Sequence, residues 1–331
     1  MSMRQGSGGR VEGAHAMRAG PAAGVVASAI FGVALLVART LAAKIERNPD
    51  PFPLERLARE PDGAEVCIAR PDGTVLRALV AGEGPTAVLA HGYGGSVAAW
   101  NIVWDALVAR GHRVIAFDQR GHGRSTLGSA GSGSEPMAAD CVAVLDHFDV
   151  RDGVLVGHSM GGFVAIRAVL DHPGLAGRLR GLVLLATLAG RILDGAPQNR
   201  LQVPLLESGI LQRLIRARIG GILFGAAQFG KCPSPAMISV FLEAFVRQDH
   251  KALLPILRAL EREDRYPRLG EITVPTVVMV GSADRATPSG HSRRLAAGIP
   301  GARLITVPGA GHILGWEAPD ALVQVVASFQ D

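Results

Sequence analysis

Short, continuously apolar runs recur along this chain and alternate with stretches of helical periodicity. The first three runs lie at 86–92 (TAVLAHG), 113–121 (RVIAFDQRG) and 153–159 (GVLVGHS). They lack polar alternation, as expected of parallel strands that helices cover on both faces. Helical patterns separate them, at about 97–110, 136–148 and 161–171. Strands that alternate with helices predict βαβ units, and therefore an α/β fold with a mostly parallel, twisted sheet.

The same rhythm is interrupted once in the second half of the chain. Three further strand-like runs lie at 181–188, 273–281 and 302–311, and a helix follows from about 317. The stretch from about 189 to 269 contains amphipathic helical patterns and no strand-like run, so we predict a helical cap inserted between two strands. An opening hairpin is expected at about 65–81, because Pro71-Asp72-Gly73 is a turn signal between two β-rich runs.

A separate hydrophobic segment precedes this pattern. Between Arg18 and Arg39 the chain has 20 uncharged residues, which as a helix are long enough to cross a bilayer. We predict that residues 1–47 are a basic tail with a membrane anchor; the alternatives are a cleaved signal peptide and a helix that packs on the domain or lies on the membrane. The proline-rich start of residues 48–62 predicts a linker, and 63–331 is then the α/β domain with its cap at about 189–269.

Charge and cysteine content exclude several classes of function. Residues 1–47 contain six basic and two acidic side chains, so most of the formal net charge of +5 lies in this segment. The near-neutral body is not the electrostatic footprint of a nucleic-acid-binding protein. The three cysteines are scattered without C-x-x-C spacing, which indicates neither a disulfide framework nor a zinc site. We expect free, buried thiols.

A nucleophile motif follows the third of the apolar runs. Gly157-His158-Ser159-Met160-Gly161 matches G-x-S-x-G, with a strand before it and a helical pattern after it. In that context the serine stands on a sharp turn at the edge of the sheet. It also lies at a helix N-terminus, where free N–H groups stabilise a developing oxyanion. Ser159 is therefore the candidate nucleophile.

A serine nucleophile requires a base and an acid that orients the base. Asp284 follows the run that ends at 281, and His312 follows the run that ends at 311. Both positions are at the carboxyl ends of predicted strands, where the side chains can meet Ser159. We predict the triad Ser159, Asp284 and His312, with Glu243 and Asp249 as weaker candidates for the acid.

An oxyanion hole requires two backbone donors near the nucleophile. The amide of Met160, which directly follows Ser159, is the first candidate. The second comes from the glycine-rich loop HGYGG at 91–95, where we expect the amide of Tyr93, with Gly94 as the alternative.

Together these motifs resemble the α/β-hydrolase superfamily, and they look like its esterase, lipase, haloperoxidase-like and carbon–carbon-bond hydrolase branches. The resemblance covers about residues 63–331 and rests on HGYGG, FDQRGHGRS, GHSMGG, GSADRATP and GAGHILGWEAPD. It implies that the turn at 118–123 is structural, and that His122 and His91 are not catalytic. Haloalkane dehalogenases and epoxide hydrolases of this superfamily use an aspartate where this chain has Ser159, so an acyl-enzyme is expected instead.

The function that we expect is hydrolysis of a carboxylic ester, with a hydrophobic or lipid-like acyl group, through an acyl-enzyme on Ser159. The apolar positions of the basic cap favour such a substrate over a polar one. The expected chemistry involves no metal or organic cofactor, and the expected partners are a small-molecule or lipid ester and a membrane, not nucleic acid. The alternatives are hydrolysis of a carbon–carbon bond in a dienoate and a catalytically silent, membrane-tethered scaffold.

Overall fold

Eight strands form one sheet in the computed structural model, which describes residues 21–330 except the side chains of 21–31, 197, 198 and 202. The strands are β1 (Ala64–Ala69), β2 (Val75–Ala81), β3 (Thr86–Ala90), β4 (Arg113–Phe117), β5 (Gly153–His158), β6 (Leu179–Leu185), β7 (Thr276–Gly281) and β8 (Arg303–Val307). Their order is β1-β2-β4-β3-β5-β6-β7-β8. The hairpin β1–β2 pairs antiparallel with β4, and the other strands run parallel. The predicted hairpin and parallel sheet are confirmed.

Helices cover both faces of this sheet. They are α3 (Asn101–Ala109), α4 (Ser134–His147), α5 (Met160–Asp171), α11 (Ser289–Gly298) and α13 (Pro319–Ala327). Along β3, Val88 points into a core with α4, α5 and α11, and Leu89 points into a core with α3 and α13. The central strands β3 to β7 thus bury both of their faces, which explains why their sequences lack polar alternation. The edge strands β1 and β8 are largely exposed or partly exposed.

A helical insertion separates β6 from β7, as predicted. It contains α6 (Gln202–Glu207), α7 (Ile210–Arg216), α8 (Arg218–Ala226), α9 (Pro235–Val246) and α10 (Leu254–Arg262). An isolated antiparallel bridge between Gly190 and Asp264 joins the two ends of the insertion. The cap therefore leaves and rejoins the sheet at nearly the same point, so its helices lie at the carboxyl edge where the candidate site residues are found.

The N-terminal part contains helix α1 (Pro21–Ile45) and the short helix α2 (Leu54–Ala58). The basic tail, residues 1–20, lies outside the described residues. Among residues whose side chains are described, no helix is long and apolar enough to span a membrane. The membrane anchor at 1–47 stays a prediction.

The segment predicted as a linker, 48–62, is packed on the domain. Helix α2 lies within it, and its Leu57 is completely buried. The side-chain amide of Asn101 donates hydrogen bonds to the backbone carbonyls of Arg56, Leu57 and Arg59. These long-range contacts cannot be read from the proline content that suggested a linker. All three cysteines are free, but only Cys141 is buried, so the expectation of buried thiols is wrong for Cys67 and Cys232.

Candidate active site

Ser159 stands on a tight turn between β5 and α5. Its backbone has φ 52° and ψ −119°, a conformation that L-residues rarely adopt. A Cβ on Gly157 would lie 2.6 Å from the Cα of Gly162, and one on Gly161 would collide with the carbonyl oxygen of Ala90. The two glycines of the motif are therefore required by the close approach of the turn to the neighbouring backbone, and the strained turn raises Ser159 above the sheet.

The structure brings Ser159, His312 and Asp284 together. The Oγ of Ser159 lies 2.9 Å from Nε2 of His312, and Nδ1 of His312 lies 3.0 Å from Oδ2 of Asp284. These residues come from the turn after β5, the loop after β8 and the loop after β7. His312 and Asp284 are only 6% and 7% exposed, whereas Ser159 is partly open to solvent. Their geometry is that of a nucleophile, a base and an orienting acid.

The carboxylate of Asp284 is buried but well supplied with donors. The backbone amides of Ala286 and Thr287 donate to its Oδ1, and the hydroxyl of Thr287 lies 2.8 Å from its Oδ2. Burial opposes ionisation, but the charge and hydrogen bond of His312 and the bonds from Thr287 outweigh it and lower the pKa of Asp284 below its ordinary value. The contact of Thr287 with Asp284 was not predicted from the sequence. An aspartate whose side chain accepts hydrogen bonds from the backbone amides of residues i+2 and i+3 is nevertheless a common turn pattern.

The backbone of His312 is held from two sides. Its amide donates a 2.8 Å hydrogen bond to the carbonyl of Gln228 in the cap, and Nε2 of His158 donates to its carbonyl at 2.9 Å. Burial, and then the nearby His312, lower the pKa of His158 to about 3, so that this imidazole is neutral at physiological pH. His158 occupies the variable position of the nucleophile motif, and its contact with His312 was not predicted from the sequence.

The predicted oxyanion donors lie next to the nucleophile. Met160 is the first residue of α5, and Tyr93 lines the same cavity as Ser159. Within the described part of the chain, neither backbone amide donates to another protein group. The side chain of Tyr93 points to the cap, where its hydroxyl lies 2.7 Å from Nδ1 of His250. Both predicted amides are therefore available to a ligand oxygen, and one of them belongs to a residue tied to the cap.

A cavity of about 550 Å³ opens above Ser159 and His312. Its walls come mainly from the cap and are largely apolar. The larger apolar lining residues are Ile192, Leu201, Leu205, Leu211, Phe224, Phe241, Phe245, Leu257, Leu260 and Ile313. Besides His158, Ser159 and His312, polar side chains are contributed by Tyr93, Asn199, Gln228, Arg285 and Thr287. A site of this size and composition accommodates a medium-sized ligand with an apolar body and few polar groups.

The weaker acid candidates lie elsewhere. Glu243 forms an ion pair with Arg247, and the carboxylate of Asp249 accepts hydrogen bonds from the amides of Lys251 and Ala252. Asp284 is thus the acid that contacts His312. Among the described residues, no group of three or more histidine, cysteine, aspartate or glutamate side chains is arranged to hold a metal ion.

The turn at 118–123 supports the floor of the site. The carboxylate of Asp118 accepts hydrogen bonds from the amides of Val97 and Arg124. Nε2 of His91 accepts a 3.0 Å hydrogen bond from the amide of Gln119, which links this turn to the loop that carries Tyr93. These contacts fit the structural function that the resemblance implied for the turn and for His91.

The sequence and the fold of this chain are similar to those of known proteins. A model of the alpha/beta hydrolase family matches residues 87–325. The chain is 31% identical over 251 residues to a non-heme haloperoxidase of Rhodococcus erythropolis, which covers 73% of this chain and 90% of that protein. It is 32% identical over 254 residues to a 2-hydroxy-6-oxononadienedioate/2-hydroxy-6-oxononatrienedioate hydrolase of Cupriavidus pinatubonensis, covering 74% of this chain and 86% of that protein.

A solved structure shares the same fold. An esterase from Exiguobacterium antarcticum superimposes with a TM-score of 0.71 at 23% identity, covering 80% of this chain and 99% of that chain. At this identity the likeness concerns the fold. The predicted α/β-hydrolase fold is confirmed by the family match and by this superposition.

Proposed function

Since this chain belongs to the alpha/beta hydrolase family, we propose that it hydrolyses a carboxylic ester with an apolar acyl or alkyl group through an acyl-enzyme on Ser159. The observation that carries this proposal is the continuous hydrogen-bonded row from Ser159 through His312 to Asp284 at the base of an apolar cavity. Family membership supports hydrolysis in general, and the site chemistry supports the ester.

In the first half of the reaction, Oγ of Ser159 attacks the ester carbonyl carbon while Nε2 of His312 accepts its proton. The ionised carboxylate of Asp284 accepts the hydrogen bond from Nδ1 of His312 and stabilises the imidazolium that forms. The amides of Met160 and Tyr93 donate to the oxyanion. When the tetrahedral intermediate collapses, the C–O bond to the alkoxy group breaks, and the leaving alcohol takes the proton from His312.

In the second half, water replaces the alcohol. His312 accepts a proton from the water while the resulting nucleophile attacks the acyl carbonyl carbon. The bond between this carbon and Oγ of Ser159 then breaks, and His312 returns the proton to Oγ. The free acid leaves, and every residue recovers its initial state. No group outside the substrate, water and these side chains is needed for this sequence.

The cavity walls favour an apolar substrate. Aliphatic and aromatic side chains from the cap form most of the lining, and burial of apolar substrate surface against them contributes about 0.8 kcal/mol for each methylene group. A strongly polar substrate would lose hydration there without gaining matching hydrogen bonds. The lining therefore supports an ester with an extended apolar part.

Carbon–carbon-bond hydrolysis is the second candidate, and the similarity to the dienedioate hydrolase favours it. A dicarboxylate substrate needs cationic or hydrogen-bonding partners for both carboxylates. Among the described lining residues, Arg285 is the cationic side chain, and Asn199 and Gln228 are the neutral amides. One cationic side chain and two amides are few partners for a substrate with two negative charges, which supports the ester as the first candidate.

Reaction with a fluorophosphonate probe tests the proposal most directly. The full-length protein should be labelled, the Ser159→Ala variant should not, and p-nitrophenyl esters from two to sixteen carbons should report the acyl preference. Turnover of a dienedioate with poor ester hydrolysis would favour the second candidate. A folded protein without labelling would support the silent scaffold and contradict the proposal.

A further inference from the structure

A second, narrower pocket lies beside the large cavity. It has a volume of about 70 Å³ and shares five lining residues with the cavity: Gly92, Tyr93, His158, Phe241 and Ile313. The shared residues include the candidate oxyanion loop and the neighbour of Ser159 in the nucleophile turn. The two spaces therefore meet where the ester carbonyl is expected to lie.

The other walls of the narrow pocket are apolar or small. They come from the oxyanion loop and the 3₁₀ turn that follows it, from α9 of the cap, and from the short helix α12 (Leu314–Glu317) after His312. The larger of these wall residues are Trp100, Val240 and Trp316, and the small residues Ala244 and Gly315 lie among them. Among the described residues that line it, the ionisable side chains are the neutral His158 and the phenol of Tyr93, and neither has a charge at physiological pH. Such a pocket accepts an alkyl group and rejects a charged one.

The volume of the pocket limits the length of that group. An apolar cavity of about 150 Å³ is large enough to hold benzene. A pocket of about 70 Å³ therefore has room for a group of about two or three carbon atoms. The larger cavity, with about 550 Å³, has room for a much longer apolar chain.

We propose that the substrate ester is asymmetric, with one short alkyl arm of about two or three carbons in the narrow pocket and one long apolar arm in the large cavity. This inference rests on the proposed ester hydrolysis and specifies its substrate class. The short arm is either the acyl group or the alkoxy group of the ester. Both share the same apolar chemistry, and the experiment distinguishes them.

Gly315 offers a substitution that fills only the narrow pocket. A Cβ at this position would lie 3.6 Å from the carbonyl oxygen of Ala99 and 3.8 Å from two ring carbons of Trp100, which are ordinary contacts. The variant Gly315→Ala is thus expected to fold and to shorten the pocket by about one methyl group. Gly270→Ala is a matched control, because a Cβ there meets no atom within 4 Å and Gly270 lies outside both pockets.

The test uses two series of esters with the full-length protein. One series varies the acyl group from acetyl to hexanoyl on octanol, and the other varies the alcohol from methanol to hexanol on octanoic acid. We expect kcat/KM to fall steeply beyond about three carbons in one series, which identifies the short arm. One methylene in an apolar pocket changes kcat/KM by about 10-fold or more, so Gly315→Ala should reduce kcat/KM at least about 10-fold for the longest arm that the parent accepts.

The two variants and the parent separate the outcomes. A cut-off that moves one carbon shorter in Gly315→Ala, but not in Gly270→Ala, supports the inference. Equal losses of kcat/KM for all esters, or the absence of a cut-off in both series, would overturn the inference. The proposed function would remain intact in that case, provided that ester hydrolysis still depends on Ser159. If the protein hydrolyses none of the esters, this result would instead contradict the proposed function. If Gly315→Ala does not fold, Ala244→Val narrows the same pocket from the cap and is held to the same criterion.

Discussion

The hydroxyl of Tyr93 lies 2.7 Å from Nδ1 of His250, and this contact joins the candidate oxyanion loop to the cap. His250 is 3% exposed, and its ring packs 4.5 Å from that of Phe245 in α9. The rings of Tyr93 and His122 also pack nearly perpendicular to each other, with their centroids 5.8 Å apart. The residue whose amide is expected to donate to the oxyanion is therefore held by a side-chain contact with the insertion that forms the substrate cavity.

Replacement of Tyr93 by phenylalanine should weaken this connection without removing the backbone amide. The buried Nδ1 of His250 loses its partner, so we expect the free energy of unfolding to fall by about 1–3 kcal/mol. Urea unfolding measures this change. The probe should still label Ser159, because Oγ and His312 are untouched; complete loss of labelling in a folded variant would show that the hydroxyl is needed for the chemistry itself.

Substitution of Asp284 by asparagine should abolish most of the turnover. The side-chain amide of asparagine is neutral, so it is a weaker acceptor for Nδ1–H of His312 than a carboxylate, and it favours the wrong tautomer of this imidazole. In a serine protease the same change lowers kcat by about 10⁴-fold. We expect a loss of about 10³- to 10⁴-fold in kcat for the preferred ester, with KM nearly unchanged. Thr287→Val is the comparison, since it removes the hydroxyl that contacts Oδ2 of Asp284 and the carbonyl of Ala186 but keeps the carboxylate, and it should cost far less. Full activity in Asp284→Asn would mean that another acid orients His312.

His158 should act as a positioning residue through the carbonyl of His312. Phenylalanine at position 158 keeps an aromatic ring but removes the donor that holds this carbonyl at 2.9 Å. We expect kcat to fall by about 10-fold or more, by analogy with the cost of one lost hydrogen bond, while the pH profile of the parent is preserved. Steady-state kinetics over a range of pH measure both. An unchanged kcat would show that Gln228 alone holds the loop.

Buried neutral histidines should make the fold sensitive to acid. Burial, followed by the neighbouring His91, lowers the pKa of His122 to about 3. Its folded pKa is below its unfolded value of about 6.5, so the associated stability is complete above pH 6.5 and is lost as the pH falls toward 3. In that pH range, each such histidine lowers the free energy of unfolding by at most about 1.4 kcal/mol for each pH unit of acidification.

The variant His122→Asn isolates this contribution. Asparagine keeps a donor near the carbonyl of Arg120, which accepts from Nδ1 of His122 in the parent, but it does not titrate. Urea unfolding at pH 7.5, 6 and 5 should show a shallower loss of stability in the variant than in the parent. Identical slopes would mean that the unfolded chain gains no extra proton at this residue.

Local pattern was sufficient for the sheet and the cap, and it predicted three triad candidates that the structure brings into contact. Strands buried on both faces must be apolar throughout, so β3, β4 and β5 are visible in the sequence. The nucleophile turn is equally visible, because Gly157 and Gly161 are the residues that the close backbone approach tolerates. The carboxyl ends of parallel strands meet at one edge, which is why a serine, an aspartate and a histidine far apart in the chain could be assigned to one site.

Only the tertiary structure decided which elements that are distant in the sequence contact each other. Tyr93 and His250 are 157 residues apart, and His158 and His312 are 154 residues apart. The burial of Leu57 in the predicted linker and the division of the site into two apolar spaces are of the same kind. Hydrophobic periodicity reports which face of an element is buried, but it contains no information on which other element covers that face, because many apolar partners satisfy the same pattern equally well.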